Sequence, residues 1–561
     1  MKHRIFILAV LCLLLLTACG GGTDTAEITP EPTATPVPTP FVLEVCTGME
    51  GYTIDPTYVG DVETAGLISH LFEGLMKYVP ADESAAVTDA QLVSGLAESH
   101  TVSDDGLTWR FTIRGDACWS DGQPVTAQNF VYAWRRLLTP AGSGETAHAA
   151  AASQLYGVIQ NAEAVGSGKA DPSALGVTAE NDRTLVVTLE KPCSHFLKLC
   201  ALPCMSPLRQ DVIEAYGGDW TDERNIITNG GYTITSWVHD DHMTLTKNPQ
   251  YYEGDALGPD TIVWNFNDSE VGMTGAFESG GLDFVAGIAD GEPISRAGVY
   301  YLYLNTSAVQ DWRVRGAMLL SIDRDSIAAA LGGGATPAVG LIPAKISDSG
   351  GSAYVVPSVA AEQPMYAWLS KTYPDYDLNT YEGRCALAKK LYNEARAIGS
   401  WYNSYTVYYR FNESAVNRTV AETCRNNWKE VLGLNAEFVL MDDDTYADSL
   451  KSRTFGTAYL SWLPDYDDGR SFLEIMRRGG EYNYSVWGDQ RYNDALDVIG
   501  RATDAAERDA LLLAADAMLF EQERFAVCPI YYFGDTYRVS DAITSVTHTP
   551  MGYWLFGYAE K

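Results

Sequence analysis

The clusters in this sequence whose residue types could hold a metal or move a proton are an acidic run, Asp465, Asp467 and Asp468, and a histidine pair, His239 and His242. Neither has the spacing that such work needs. A calcium loop requires later ligand positions and a glycine that the Asp465 run lacks. His239 and His242 stand at i and i+3 in a predicted hairpin, which puts their side chains on opposite faces of a strand. Cys193, Cys200 and Cys204 are separated by six and three residues, which matches no common zinc pattern. There is no G-x-S-x-G elbow and no H-E-x-x-H helix. Gly332-Gly333-Gly334-Ala335 lacks the lysine and hydroxyl residue of a phosphate loop and reads as a helix stop. A carboxylate pair for glycoside hydrolysis cannot be singled out in a chain this acidic. The expectation is a protein that is not an enzyme and has no metal and no cofactor.

The amino terminus sets the compartment. Lys2 and Arg4 precede an apolar run from Ile5 to Leu16, the length of a signal-peptide core and too short for a spanning helix, which needs roughly twenty residues. Leu16-Thr17-Ala18-Cys19 resembles the lipobox of bacterial lipoproteins, which implies removal of residues 1–18 and acylation of Cys19. Residues 19–40 continue with three glycines and a Thr/Pro-rich stretch without apolar periodicity. Such a stretch cannot bury a core and favours extended conformations, so it is expected to act as a tether. The expected location is the extracellular face of the cell membrane, of the Gram-positive type, with membrane contact through the lipid anchor only.

From Phe41 to Lys561 the composition, 46% hydrophobic over the 561 residues, supports a large core and more than one domain. The formal charge of −34 argues against nucleic acid, since phosphate binding needs clustered Lys and Arg. Cys46, Cys118, Cys193, Cys200, Cys204, Cys385, Cys424 and Cys528 remain after the leader and are expected to be structural, free or paired.

Strand and helix patterns mix without regular alternation. Thr108–Ile113 alternates as a half-buried strand does. Thr126 can cap a helix with Phe130, Val131, Trp134, Leu137 and Leu138 on one stripe, stopped by Pro140. Arg183–Leu189 reads as a strand, and Asp311 and Asp323 can each cap a helix. Asp489–Ile499 and Ala505–Glu523 read as amphipathic helices, followed by an apolar strand at Pro529–Phe533. The fold class is α/β.

Several blocks, in order, resemble the family 5 solute-binding proteins, the oligopeptide and dipeptide binders of bacterial ABC importers. They include Ile54-Asp55-Pro56, Leu71-Phe72-Glu73-Gly74-Leu75, CWSDGQPVTAQNFVYAWRRLLTP from Cys118, and Thr228-Asn229-Gly230-Gly231-Tyr232 with Lys247-Asn248-Pro249. YYLYLNT from Tyr300 and Trp462-Leu463-Pro464-Asp465-Tyr466 continue the series. The resemblance implies a two-lobed periplasmic-binding-protein-like fold (type II, cluster C) with an additional domain inserted in the first lobe. By position, lobe 1 would comprise 41–72, 190–298 and 530–561, the inserted domain 73–189, and lobe 2 residues 299–529. A hinge would close the lobes over the ligand.

What the resemblance implies for the site is a slot that pairs a peptide as an added strand and offers a carboxylate to its buried ammonium. In the oligopeptide binders the aspartate of W-x-x-D-Y takes that role, which falls on Asp465, with Trp462 beside it. Tyr132 matches an aromatic of the F-V-Y-x-W block and is a candidate wall residue. Gly60 and Asp61, in an early strand Val59–Glu63, are candidate backbone contacts. Leu463 stands where the best-known relative has a disulfide cysteine, so that crosslink is absent. Expected partners of the monomer are short peptides and ABC permease subunits. Binders of nickel, opines or oligosaccharides, and receptors for peptide pheromones, share these features.

Overall fold

Local pattern and tertiary burial agree over most of the chain. The computed structural model describes residues 39–139, 152–349, 351, 354–402 and 405–561; the leader, Cys19 and the tether as far as residue 38 lie outside them. The strand expected at Thr108–Ile113 is present with those bounds. The stripe from Phe130 to Leu138 lies on a helix, Ala127–Leu138, whose Thr126 N–H donates to the Asn129 side chain at 2.8 Å. Asp311, Asp323 and Asp489 each cap a helix through their side chains.

Among the described residues the first half contains β1 (Val42–Gly48), β2 (Met76–Pro80), β3 (Val87–Ser94), β4 (Ala97–Val102), β5 (Thr108–Ile113), β6 (Val177–Asn181), β7 (Thr184–Thr188), β8 (Tyr232–Val238), β9 (His242–Lys247), β10 (Thr261–Phe266) and β11 (Phe284–Ala286). The second half adds β12 (Glu292–Leu304), β13 (Thr336–Pro337), β14 (Thr406–Asn412), β15 (Asn435–Met441), β16 (Thr457–Trp462), β17 (Val527–Val539), β18 (Val546–His548) and β19 (Trp554–Leu555). One sheet of eleven strands has the order β15-β14-β16-β12-β17-β11-β1-β10-β9-β8, with β13 on β17. Two four-stranded sheets have the orders β19-β18-β3-β2 and β4-β5-β7-β6.

The fold is two-lobed, and the large sheet runs through both lobes. One buried core gathers Tyr301, Tyr303, Tyr409 and Trp428 beneath β12, β14 and β16. The other gathers Leu43, Val45, Ile68, Phe284 and Phe556 together with Trp119 and Trp134. Trp119 and Trp134 belong to the stretch 73–189, so that stretch shares its core with β1 and the chain end, and β3 pairs with β18.

Among the described strands, β12 and β17 pass between the lobes, antiparallel to each other. Their register jumps from Ser295 opposite Gly534 to Val299 opposite Tyr532, leaving Arg296, Ala297 and Gly298 to face Phe533 alone. A bulge of this kind interrupts the ladder and lets two strands bend. Gly298 is required there: a Cβ would lie 2.5 Å from Phe533 Cδ2 and 2.9 Å from Leu463 Cδ2.

Two local expectations are corrected. Val59–Glu63 is not a strand: Asp61 caps a helix, α1 (Val62–Leu71), by accepting from the Thr64 N–H at 2.7 Å. The helix expected at Ala505–Glu523 ends at Met518, because the chain turns through left-handed backbone at Glu523 and Phe525 to bury the Phe525 ring. The apolar strand expected at Pro529–Phe533 is present as the middle of β17, which runs on so that its polar end, Asp535 to Arg538, enters the first lobe. No helix among the described residues is long and apolar enough to cross a membrane.

Candidate functional site

β16 delivers the segment after Tyr459 to the line where the lobes meet. It pairs with β12 as far as Trp462 opposite Val299, whereas β14 accompanies its other edge only at Thr457 and Ala458. Ser461 and Trp462 therefore offer an uncovered edge of backbone beside the hinge, the kind of edge to which an extended chain can add. Trp462 packs against the second-lobe core and Tyr466 against the first. The short loop between them crosses from one core to the other, and Asp465 is on it.

Ser471 organises this loop. Its hydroxyl oxygen accepts from the Asp465 N–H at 3.0 Å and from Trp462 Nε1 at 3.4 Å, and the Tyr482 ring stands edge-on to Trp462, 4.9 Å between centroids. The half-buried Asp465 carboxylate makes no hydrogen bond and no ion pair among the described residues, and burial pushes its pKa up to about 6. Its neighbours differ. Asp467 accepts from the Ser347 N–H at 2.7 Å and from the Tyr78 hydroxyl at 3.4 Å. Asp468 pairs with Arg508 at 2.8 Å; burial opposes its charge, but Arg508 and Lys198 hold its carboxyl well below the usual carboxylate range. Of the three acids in the run, only the Asp465 carboxylate has no hydrogen-bond or ion-pair partner among the described residues.

On the first-lobe side a cavity of about 110 Å³ opens at the hinge, lined among others by Thr47, Glu63, Trp264, Arg296, Asp535 and Tyr553. Thr47 and Ala286 put it at the carboxyl ends of β1 and β11, which run parallel, the usual place for a ligand in such sheets. Burial pushes the Asp535 carboxyl up, against a hydrogen bond from the Thr536 N–H at 2.9 Å and the charge of Arg296.

The other sequence candidates fall elsewhere. Gly60 and Asp61 are exposed at the start of α1, two residues before Glu63. Tyr132 is half-buried, its hydroxyl among Arg136, Glu214 and Asp55, and no contact among the described residues joins it to the Asp465 loop. His239 Nδ1 lies 2.7 Å from Glu50 and His242 Nδ1 2.7 Å from Asp241, so the two engage different carboxylates. The eight described cysteines are unpaired, and burial lifts the Cys193 and Cys204 thiols to about 12. Sequence reasoning missed Arg296, Asp535, Ser471 and Tyr482. No motif spacing marks them; their common signal is proximity in chain to the two crossing strands or to Asp465.

The family model for bacterial extracellular solute-binding proteins, family 5, middle region, matches residues 91–484. The chain belongs to the family 5 solute-binding proteins. Among curated relatives, the periplasmic oligopeptide-binding protein OppA of Escherichia coli is 29% identical over 92% of this chain and 89% of its own length. A second Escherichia coli protein, named "Probable deoxycholate-binding periplasmic protein YgiS", is 30% identical over 86% of each chain. Among solved structures, the unliganded open form of MppA, a periplasmic murein tripeptide binding protein, superposes with a TM-score of 0.76 at 25% identity, covering 92% of this chain and 95% of that one. Family 5 membership fits the two-lobed fold. It identifies a solute binder and leaves the solute to be read from the residues at the hinge.

Proposed function

We propose that this protein captures short peptides outside the cell and hands them to an ABC importer, with Asp465 taking the ligand's amino terminus. The observation that supports this most directly is a desolvated carboxylate without a cation, placed on the loop that joins the two cores and beside an open strand edge. Every peptide brings an ammonium and a backbone. The first compensates Asp465, and the second can pair with Ser461 and Trp462 whatever the side chains are. Closure at the bulge between β12 and β17 would then seal the pair from water, where its strength rises. Cys19 would tether the molecule through its lipid, so that the captured ligand stays near the permease.

Calorimetry with tetra-alanine tests the assignment. Asp465→Ala is expected to weaken binding by two orders of magnitude or more, the equivalent of about 3 kcal/mol for breaking a buried pair; unchanged affinity refutes the role. Native mass spectrometry of the purified protein separates solute classes. A ladder of peptide masses supports the reading, and a single bile-acid, sugar or metal mass overturns it. Small-angle scattering should show a smaller radius of gyration at saturation with peptide, and a Cys19→Ala protein should leave the membrane fraction.

A further inference from the structure

The hinge cavity is lined by three ionisable side chains that make no close ion pair. Glu63, Arg296 and Asp535 all line it, and among the described residues none of the three is in an ion pair within 4.0 Å. Arg296 belongs to the bulge of β12, and its Nε is buried without a hydrogen-bond partner. One Asp535 oxygen accepts from the Thr536 N–H. Two carboxyl groups share the cavity with one guanidinium; burial raises the Asp535 pKa, and the Thr536 N–H and Arg296 oppose that rise only in part.

The cavity is also close to the loop that holds Asp465. Leu463 reaches the place where Gly298 and Phe533 face each other. Arg296 is two residues before Gly298 and Asp535 two after Phe533, a displacement of about 7 Å along a strand. A peptide whose amino end is at Asp465 would direct the side chain of one of its first residues toward this cavity. The walls there are Trp264, Tyr553 and Trp554, each almost fully buried. Such rings suit the aliphatic stem of a long cationic side chain, with the charge left at the carboxylates. At about 110 Å³ the space is several times the roughly 10–15 Å³ that one water needs, enough for the end of a long side chain.

We propose that this cavity receives a lysine or arginine side chain near the amino end of the bound peptide, with Asp535 and Glu63 as its charge partners. The inference rests on the peptide reading above and adds a preference to it: amino-terminal basic peptides are favoured over neutral and acidic ones.

The test is calorimetry at low salt with Ala-Ala-Ala-Ala, Lys-Ala-Ala-Ala, Ala-Lys-Ala-Ala, Ala-Glu-Ala-Ala and Ala-Ala-Ala-Lys. One of the two peptides with lysine in the first half should bind at least ten-fold tighter than tetra-alanine, and Ala-Ala-Ala-Lys should not. In the Asp535→Asn, Glu63→Gln double variant that lysine peptide should fall to the affinity of tetra-alanine. If tetra-alanine binds but lysine adds nothing, or its advantage survives in the double variant, this inference fails and the peptide reading stands. Tighter binding of Ala-Glu-Ala-Ala would also overturn it, by assigning the cavity to Arg296. If no peptide binds, both readings fall.

Discussion

Tyr466 lies flat on the imidazole of His195, with ring centroids 4.1 Å apart and planes within 4°. Tyr466 follows Asp465, and His195 precedes the helix Phe196–Leu199, so the stack fixes one end of the crossing loop to the first lobe. Burial pushes the His195 pKa down to about 3, and the ring is neutral in the folded protein at any ordinary pH. The unfolded chain takes up a proton as pH falls through about 6.5 while the folded chain does not, so this contribution to stability is present above that value and is lost toward pH 3. His195→Phe keeps a flat ring against Tyr466 and removes the titration. Urea unfolding between pH 6 and 4 should show a pH slope reduced by up to about 1.4 kcal/mol per unit. Equal slopes in the two proteins would mean that His195 is protonated where it stands.

Asp465 titrates in the opposite sense. Its folded-state pKa, about 6, lies above the unfolded value, so the carboxyl favours folding at low pH and the advantage disappears as pH rises through 6. Without ligand, Asp465→Asn is therefore expected to raise stability at pH 7.5 by about 2 kcal/mol, after allowing for its partial exposure, and to change little at pH 4. Thermal melts at both pH values check this. A variant that is more stable yet binds less is what a group kept for its ligand produces.

Peptide affinity should follow the same carboxyl. Below pH 6 binding must displace a proton from Asp465, so titrations at pH 7.5 and 5 should differ by close to ten-fold for an uncharged-side-chain peptide, with proton release at the lower pH. A flat profile would place the ligand's ammonium elsewhere.

The Arg508–Asp468 pair, 2.8 Å apart with both side chains buried, is expected to resist single replacement. Arg508→Ala removes the buried carboxylate's ion-pair partner and should cost about 3–5 kcal/mol. Adding Asp468→Asn should recover part of that loss, and the double-mutant cycle read by chemical denaturation gives the coupling.

Gly298→Ala forces a methyl group onto Phe533 and Leu463. Overpacking of this kind costs about 1–3 kcal/mol. Phe533→Leu in the same chain should restore stability, and differential scanning calorimetry of the three proteins separates a steric cause from a general intolerance of the position.

Much of the fold was legible because it is set within a few residues. Thr126, Phe130 and Trp134 carry their own helix period, and the hairpin from Tyr232 to Lys247 closes in the register its flanks imply. The hinge was not legible. Arg296 and Asp535 look like ordinary strand and turn residues until β12 and β17 meet, and their partners are about 240 positions apart in sequence. Asp465 could be named from resemblance, but its lack of a cation depends on Asp467 and Asp468 being occupied by Ser347, Tyr78 and Arg508, contacts that no local pattern encodes. Tyr132 shows the converse. Its block is present in sequence, yet its hydroxyl belongs to the Asp55 and Arg136 group.

The closing strands also govern when the molecule can become whole. His70 Nε2 accepts from the Phe556 N–H at 2.9 Å, and β3 waits for β18 to complete its sheet. The amino-terminal core therefore cannot finish until residues 546–556 arrive. A growing or threading polypeptide stays pliable until then, and loss of that stretch would leave the earlier-made part without its final layer.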